Sequence, residues 1–194
     1  MGSDGRLHEK GDGMARSAPT RWNPTTVVMD AADEEIGLAT RDDIAGMLDL
    51  QEQNLPDRGG DLSVALSLEW FETAIVDMPV IVARKNGRVI GYLVSSTFAA
   101  LAHLDIIKAM MRAYRGSGEA YVYGPVCVAR NERGRGLAGR LFTALRRELP
   151  QREGIAFIRR DNALSLRAHA RMGMCEVGEF THKGVPHAVL AYTG

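Results

Sequence analysis

The sequence predicts a single mixed α/β domain, and the chain's length and hydrophobic pattern are the observations behind that prediction. The chain has 194 residues, of which 45% are hydrophobic and 25% are charged, and this suits one domain of ordinary size with a sizeable core. Segments rich in β-branched residues alternate with segments in which apolar residues recur every three or four positions. The predicted order of elements is β-α-α-β-β, a helical insert, and then β-α-β-α-β-β.

The predicted N-terminal elements are a strand, a helix, a loop and a second helix. The strand covers residues 35–40, and the first helix opens at Arg41-Asp42-Asp43. Proline and glycine mark residues 54–60 as a loop. Asp61 is the predicted N-cap of the second helix, whose apolar face runs from Leu62 to Ile75.

A β-hairpin and a helical insert are predicted next. Residues 79–85 and 88–98 are β-branched runs joined by Asn86-Gly87. Asn-Gly favours a type I′ turn, because both central residues of that turn need a positive φ. Residues 99–113 then show helical spacing, and Gly116-Ser117-Gly118 ends the insert.

The C-terminal half continues the alternation of strands and helices. Residues 119–128 form the next predicted strand, and a leucine at every fourth position from Leu137 to Leu149 predicts the helix after it. The remaining predicted elements are a strand over 155–160, a helix capped by Asp161 or Asn162 and ended at Gly173, and two closing strands over about 174–182 and 187–193. The closing strands offer an edge on which a second copy of this chain could pair as a homodimer.

Composition argues against several classes of protein. Lys and Arg number 24 and balance 24 Asp and Glu, so charge gives no reason to expect nucleic acid or a membrane surface as a partner. No apolar run reaches the roughly 18 residues needed to span a bilayer. Cys127 and Cys175 lack metal-ligand spacing with a histidine and are predicted to be buried structural thiols in a reducing compartment. We expect a cytoplasmic protein that uses no metal, with residues 1–30 as a disordered tail and residues 31–194 as the folded domain.

The most informative part of the chain is basic, rich in glycine, and placed between a predicted strand and a predicted helix. This glycine-rich segment consists of Arg133, Gly134, Arg135, Gly136, Leu137, Ala138, Gly139 and Arg140. A helix N-terminus offers unpaired backbone N–H groups and about half a positive charge. Glycine lets an anion come close to the backbone, and arginine adds fixed positive charge. The segment therefore predicts a binding site for a phosphorylated cofactor.

Two other interpretations of this segment remain open from the residues alone. Residues 134–139 match the dinucleotide fingerprint G-x-G-x-x-G, and Asp161 follows the next strand. Against a dinucleotide site, polar residues 129–133 separate the fingerprint from its strand, and the chain after Asp161 is too short for the second half of a doubly wound sheet. The third interpretation is a basic loop that starts a helix and binds nothing.

Two motifs resemble one known family. Arg133-x-x-Gly136-x-Ala138 is similar to the pyrophosphate-binding signature (Q/R)-x-x-G-x-(G/A) of the GNAT superfamily of N-acetyltransferases, and residues 162–174 resemble its later helix, N-x-x-(A/S)-x-x-x-Y-x-x-x-G-F. The resemblance covers residues 35–194. It implies a GNAT-like fold, with a mixed, mostly antiparallel central sheet flanked by helices, and acetyl-CoA as the cosubstrate.

The resemblance also implies roles for residues outside the glycine-rich segment. It places backbone N–H groups of Val126, Cys127 and Val128 beside the thioester, on a strand that splays away from its neighbour. It places Asn162 on the pantetheine of CoA, and Ser165 shares a helical face with Asn162.

Histidine at position 169 departs from the family pattern, which has tyrosine there to protonate the CoA sulfur. A histidine with a pKa of ~6.5 can donate a proton to a thiolate with a pKa of ~8.5, so His169 is the predicted catalytic acid. The same helix is expected to turn Leu164, Ala168 and Met172 toward the core.

Tyr123 is the second catalytic candidate. It alternates with Glu119 and Tyr121 along one face of the strand that leads to the expected thioester position. Ordinary strand packing is the alternative for these tyrosines, and the residues do not identify a general base.

The sequence thus predicts an N-acetyltransferase that moves the acetyl group of acetyl-CoA directly to a primary amine of a small molecule or a peptide. The polar residues between 52 and 58 are predicted to contact that acceptor. The alternatives are a CoA-binding sensor without turnover and a dinucleotide-linked oxidoreductase.

Overall fold

The computed structural model describes residues 34–60, 62 and 64–194. The predicted tail over residues 1–30 and the predicted cap at Asp61 lie outside the described residues. The strands are β1 (Glu34–Leu38), β2 (Ile81–Lys85), β3 (Arg88–Ser96), β4 (Tyr121–Val128), β5 (Glu153–Arg159), β6 (Cys175–His182) and β7 (Val185–Thr193). The helices are α1 (Ile44–Glu52), α2 (Leu68–Asp77), α3 (Phe98–Leu101), α4 (Asp105–Ala113), α5 (Leu137–Glu148) and α6 (Ala163–Arg171).

The strands form one sheet in the order β1-β2-β3-β4-β5-β7-β6. Every neighbouring pair is antiparallel except β4 and β5, which are parallel. The predicted mostly antiparallel α/β fold is therefore confirmed. A doubly wound dinucleotide fold, which needs a mostly parallel sheet, does not fit this order.

Helices cover both faces of the sheet. Side chains alternate across a strand, and Leu93 packs in a different core cluster from its neighbours Tyr92 and Val94. The Leu93 face carries α5 and the inner side of α6, while the opposite face carries α1, α2 and the insert helix α4. Gly178 of β6 lets α4 come close, since a Cβ there would lie 3.3 Å from the carbonyl oxygen of Ala113.

Several local predictions are confirmed. Asn86 and Gly87 have φ of 50° and 74°, as the hairpin between β2 and β3 requires. Asn162 caps α6 by accepting a hydrogen bond from the N–H of Ser165 at 3.0 Å, and Gly173 ends that helix with φ of 87°.

The predicted start of α2 near residue 61 is wrong, because the helix begins at Leu68. The side chain of Gln51 binds both backbone groups of Leu66, donating to its oxygen at 2.9 Å and accepting from its nitrogen at 2.8 Å. These bonds hold Leu66 outside any helix, and Ser67 becomes the N-cap, accepting from the N–H of Trp70 at 3.2 Å. The prediction of a helix here is right, but its start depends on a hydrogen bond between residues 15 positions apart.

Two further helix predictions need correction. The predicted helix over residues 99–113 is two helices, α3 and α4, separated at residues 102–104. Leu164 was expected to face the core with Ala168 and Met172, but it is 73% exposed. Leu166 and Met172 pack on the core, and His169 is the buried residue of α6. The helix therefore turns a different face to the core from the one predicted.

A paired aspartate ties the start of α1 to β2. Asp43 receives hydrogen bonds from the Arg84 guanidinium at 2.6 Å on each carboxylate oxygen, and Thr40 adds its N–H at 2.7 Å and its hydroxyl at 2.9 Å. Burial raises the pKa of Asp43, but the hydrogen bonds from Arg84 and Thr40 outweigh burial and leave that pKa below its usual value. The carboxylate is therefore the stable form in the folded protein.

We predict that Asp43→Asn lowers the free energy of unfolding by about 2 to 4 kcal/mol at pH 7, since it removes the buried carboxylate partner of Arg84 and leaves only the exposed Glu35. Because the folded-state pKa of Asp43 is lowered, its contribution is complete above the unfolded pKa near 4 and is lost as the pH falls below that value. Urea unfolding at pH 7 measures the effect. Asp42→Asn, one position earlier and exposed, is the control, and an equal loss in both variants would contradict the prediction.

Candidate functional site

The parallel pair β4–β5 separates soon after it begins. The two strands pair at Tyr121–Gly154 and Val122–Ile155, while β4 stays paired with β3 as far as Val128 and β5 with β7 as far as Arg159. We call the space between residues 123–128 of β4 and residues 156–159 of β5 the β4–β5 gap. Gly124, with φ of 101°, and Pro125, which has no N–H, interrupt the strand where the gap opens.

The register of β3 and β4 decides which backbone groups face the gap. The N–H of Ala129 donates to the carbonyl of Ile90 at 2.9 Å, and antiparallel partners alternate between bonded and non-bonded pairs. The backbone groups of Val126 and Val128 therefore face the gap, whereas the N–H of Cys127 faces β3. Of the three predicted donors, the structure places two at the gap. The Cys127 thiol is buried on the α1 side, as predicted, and burial raises its pKa to about 11. The prediction of a buried thiol is wrong for Cys175, which is exposed at the start of β6.

The glycine-rich segment joins the end of β4 to α5 through a short 3-10 turn at Arg130–Glu132. Gly134 and Gly136 have φ of 75° and 77°, a conformation that favours glycine, and a Cβ at either position would meet no atom within 4 Å. Gly136 is the N-cap of α5 and supplies no side-chain hydrogen bond, and the first turn contains no acidic residue. The N–H groups of residues 137–139, in the first turn of α5, are thus left without a capping side chain.

The arginines of this segment have different surroundings. Arg140 forms an ion pair with Glu34 of β1, and Arg133 donates through Nε to the Val128 carbonyl at 3.3 Å and through Nη2 to Oδ1 of Asn54. Arg135 is 66% exposed at its side chain and lies 3.3 Å from Glu132. The guanidinium groups of Arg133 and Arg140 are thus bound to partners within the protein, and the Arg135 side chain is more exposed than that of Arg140.

The sequence analysis did not identify Glu132, which pairs with Arg135 of this segment and with Lys85 of β2. Its buried carboxylate accepts from Lys85 Nζ at 3.0 Å, and the Lys85 ammonium holds the pKa of Glu132 below its usual value. No local sequence pattern indicates the pair of Lys85 and Glu132, because Lys85 lies on β2, far from Glu132 in the chain.

The predicted residues of α6 form one hydrogen-bonded line. Asn162 binds the N–H of Ser165, and the carbonyl of Ser165 accepts from Nδ1 of His169 at 2.7 Å. A carbonyl oxygen can only accept, so Nδ1 carries the proton and Nε2 of the neutral ring carries none. The structure thus brings together all three of the residues that were expected to share one helical face.

His169 and Tyr123, the two catalytic candidates, are in contact and buried. Their ring centroids lie 5.6 Å apart with the planes at 89°, and His169 is 8% exposed. Burial lowers the pKa of His169, with the Ser165 carbonyl opposing that effect, and burial raises the pKa of Tyr123. The Tyr123 hydroxyl has no hydrogen-bond partner within the described part of the chain, and it stays protonated at neutral pH.

The other strand candidates lie elsewhere. Tyr121 is fully buried and its hydroxyl is hydrogen-bonded to that of Tyr192, while Glu119 is exposed.

An open depression of about 440 Å³ lies beside α1. Its lining consists of Asp49, Glu52, Gln53, Arg58 and Arg130. Asn54, also predicted to contact the acceptor, is buried instead of facing this depression.

The ranges that the structure describes hold neither a metal-binding cluster nor a membrane-spanning helix. There, no three His, Cys, Asp or Glu side chains are grouped closely enough to hold a metal ion. Over the same ranges, no helix has the length and apolar character to cross a bilayer.

Comparisons with known proteins agree with this geometry. A family model described as acetyltransferase (GNAT) family matches residues 29–174. A search of curated protein sequences gives no match. Among solved structures, the fold is similar to an N-acetyltransferase from Staphylococcus aureus Mu50, with 19% identity, a TM-score of 0.63, and coverage of 83% of this chain and 98% of that one.

Two other solved structures have a similar fold. One is a ribosomal-protein-alanine N-acetyltransferase from Brucella melitensis, with 25% identity, a TM-score of 0.62, and coverage of 82% of this chain and 99% of that one. The other is YncA from Salmonella typhimurium, solved with its cofactor acetyl-CoA, with 19% identity, a TM-score of 0.60, and coverage of 83% and 94%.

The buried histidine leads to a prediction about stability. Because the folded-state pKa of His169 is below its unfolded value near 6.5, its contribution is complete above that value and is lost as the pH falls below it. We expect His169→Phe to reduce the loss of unfolding free energy between pH 7.5 and 5.5, measured by urea unfolding. His103→Phe, at an exposed position, is the control, and the same pH dependence in both variants would contradict the prediction.

Proposed function

Because the chain belongs to the acetyltransferase (GNAT) family, we propose that it transfers the acetyl group of acetyl-CoA to a primary amine. The observation that carries this proposal is the β4–β5 gap, which leads directly to the uncapped start of α5. An extended chain with amide groups could pair along the exposed edge of β4 while its phosphates bind the helix N-terminus.

The residues present fit CoA. The pyrophosphate would be held by N–H groups of the glycine-rich segment, whose open glycines leave the approach clear, with Arg135 adding charge. The pantetheine would lie against Val126 and Val128, with Asn162 and Ser165 on the facing helix. Acetyl-CoA, when bound, supplies the acetyl group as an activated thioester, and a backbone N–H facing the gap can stabilise negative charge on its carbonyl oxygen.

His169 is the proposed acid for the departing sulfur. The Ser165 carbonyl fixes the proton on Nδ1, so the proton that is delivered must come from Nε2 of the imidazolium. Tyr123 packs against the ring and holds its orientation. The lowered pKa of His169 strengthens the imidazolium as an acid and reduces its population at neutral pH.

The acceptor is proposed to be a primary amine on a small molecule or a peptide. The peptide choice is supported by the similarity to the Brucella ribosomal-protein-alanine N-acetyltransferase. A cytoplasmic location is supported by two cysteines that form no disulfide, as is usual in a reducing compartment. The outer edge of β6, which is an end strand of the sheet, is the proposed surface for a homodimer.

A second candidate function is CoA binding without turnover. The observation that favours it is the buried, neutral histidine at a position where the family pattern has tyrosine. The two candidates differ in one measurable quantity, the release of free thiol in the presence of an amine.

We predict that acetyl-CoA at about a hundred times its dissociation constant adds about 2.7 kcal/mol to the native state and raises the melting temperature by roughly 5 to 10 °C. Thermal unfolding with acetyl-CoA, CoA or NADH measures the shift. A panel of small amines and N-terminal peptides with thiol detection then measures transfer. A shift with NADH alone would contradict the proposal, and a CoA shift without thiol release on any amine would favour the second candidate.

We further predict that His169→Phe lowers kcat by about a hundredfold or more and changes the affinity for CoA by less than threefold, because general acids contribute that much to the chemical step. The acid role also requires kcat to fall as the pH rises above the lowered pKa of His169, and the variant should lose this pH limb. Leu164→Ala, on the exposed side of the same helix, is the matched control and should keep the parental kcat. Equal kcat in His169→Phe and parent would assign His169 to packing.

A further inference from the structure

Two arginines that follow β4 reach across to the segment that follows α1. We call that segment, residues 53–60, the Asn54 loop. Arg130 donates through Nη2 to the carbonyl of Gln53 at 3.3 Å and to the carbonyl of Arg58. Arg133 donates through Nη2 to Oδ1 of Asn54.

The Asn54 loop is folded around the side chain that Arg133 holds. Asn54 is 2% exposed, and its Nδ2 donates to the carbonyl of Leu50 at 2.7 Å. Its own carbonyl accepts from the N–H of Leu62 at 3.1 Å, and a Cβ on Gly60 would lie 1.9 Å from that oxygen. Oδ1 is the remaining side-chain acceptor of Asn54, and without Arg133 it would be a buried group without its hydrogen bond.

Arg133 also touches the β4–β5 gap. Its Nε donates to the carbonyl of Val128, which faces the gap, while its Nη2 binds Asn54. One rigid guanidinium therefore fixes the distance between the gap edge and the Asn54 loop. Arg130 adds a second connection to the same loop a few residues earlier in the chain.

We propose that Arg130 and Arg133 are positioning residues for the amine acceptor, which hold the Asn54 loop beside the gap and couple this loop to CoA binding. The inference rests on the proposed function, in which this loop lies on the acceptor side. It differs from the expectation that the Arg133 side chain binds the pyrophosphate. In this arrangement the glycine-rich segment binds phosphate through its backbone, and the arginine side chain serves the second substrate.

Hydrogen exchange of the full chain tests the positioning role without any ligand. The N–H groups of Arg58, Gly59 and Gly60 are bonded within the loop, to carbonyls of Leu55 and Pro56, so they report its order. Arg133→Ala should speed their exchange at least tenfold, and Arg133→Lys should restore part of the protection. Arg135→Ala, in the same segment but paired with Glu132, should leave loop exchange at the parental rate and weaken CoA binding. Parental exchange in Arg133→Ala would overturn the proposal.

The coupling is tested by repeating the exchange with saturating CoA, with affinity measured by calorimetry. CoA should slow exchange of the three reporter amides in the parent and should fail to do so in Arg133→Ala. Equal protection in both would overturn the coupling. If the parent binds no CoA, the proposed function fails, and the ligand-free exchange still decides whether Arg133 positions the loop.

Steady-state kinetics with an amine from the panel give a separate readout. Arg133→Ala should raise the KM for the amine at least tenfold and change the KM for acetyl-CoA by less than threefold. The opposite split would return the Arg133 side chain to the cofactor and overturn the proposal. If Arg133→Ala does not fold, Arg130→Ala, which removes the hydrogen bonds to the Gln53 and Arg58 carbonyls, should show the same split in weaker form.

Discussion

The early end of the β4–β5 ladder is the constraint on which the rest of the site depends. A strand in the middle of a sheet normally satisfies its N–H and C=O groups on both sides, and leaving such groups without partners is costly. Here β4 is bonded to β3 along most of its length but to β5 at only two register positions. Gly124 and Pro125 prevent the regular ladder from continuing, so the fold itself creates a row of backbone groups that a ligand can satisfy.

Much of the fold could be predicted because its signals are local. The Asn86-Gly87 turn, the leucine spacing of α5 and the Asn162 cap each depend on residues within one turn or one helix. The start of α2 could not be predicted, because it depends on Gln51 binding the backbone of Leu66. The prediction of the buried face of α6 was wrong for a related reason. Apolar spacing predicted that Leu164 is a core residue, whereas His169 occupies the buried position against the sheet.

The candidate site divides in the same way. The glycine-rich segment and the line from Asn162 to His169 could be found from sequence, because each is contiguous. The partners of its charged side chains could not, since Glu34, Asn54 and Lys85 are distant in the chain. Counting arginines therefore overstates the charge that faces a ligand. The sequence motif shows that an arginine is present in this loop. Which group its guanidinium binds depends on the fold.

Histidine at position 169 changes how such a site depends on pH. A tyrosine keeps its phenolic proton throughout the neutral pH range, so a tyrosine acid is always protonated there. With Nδ1 bound to the Ser165 carbonyl, His169 can deliver a proton from Nε2 only as an imidazolium, and burial disfavours that form. In the proposed transfer the acceptor amine must be neutral to attack, and its neutral form becomes more populated as the pH rises. Rising pH therefore increases the population of neutral amine and decreases the population of imidazolium. Turnover through His169 requires a pH range in which small populations of both reactive forms coexist.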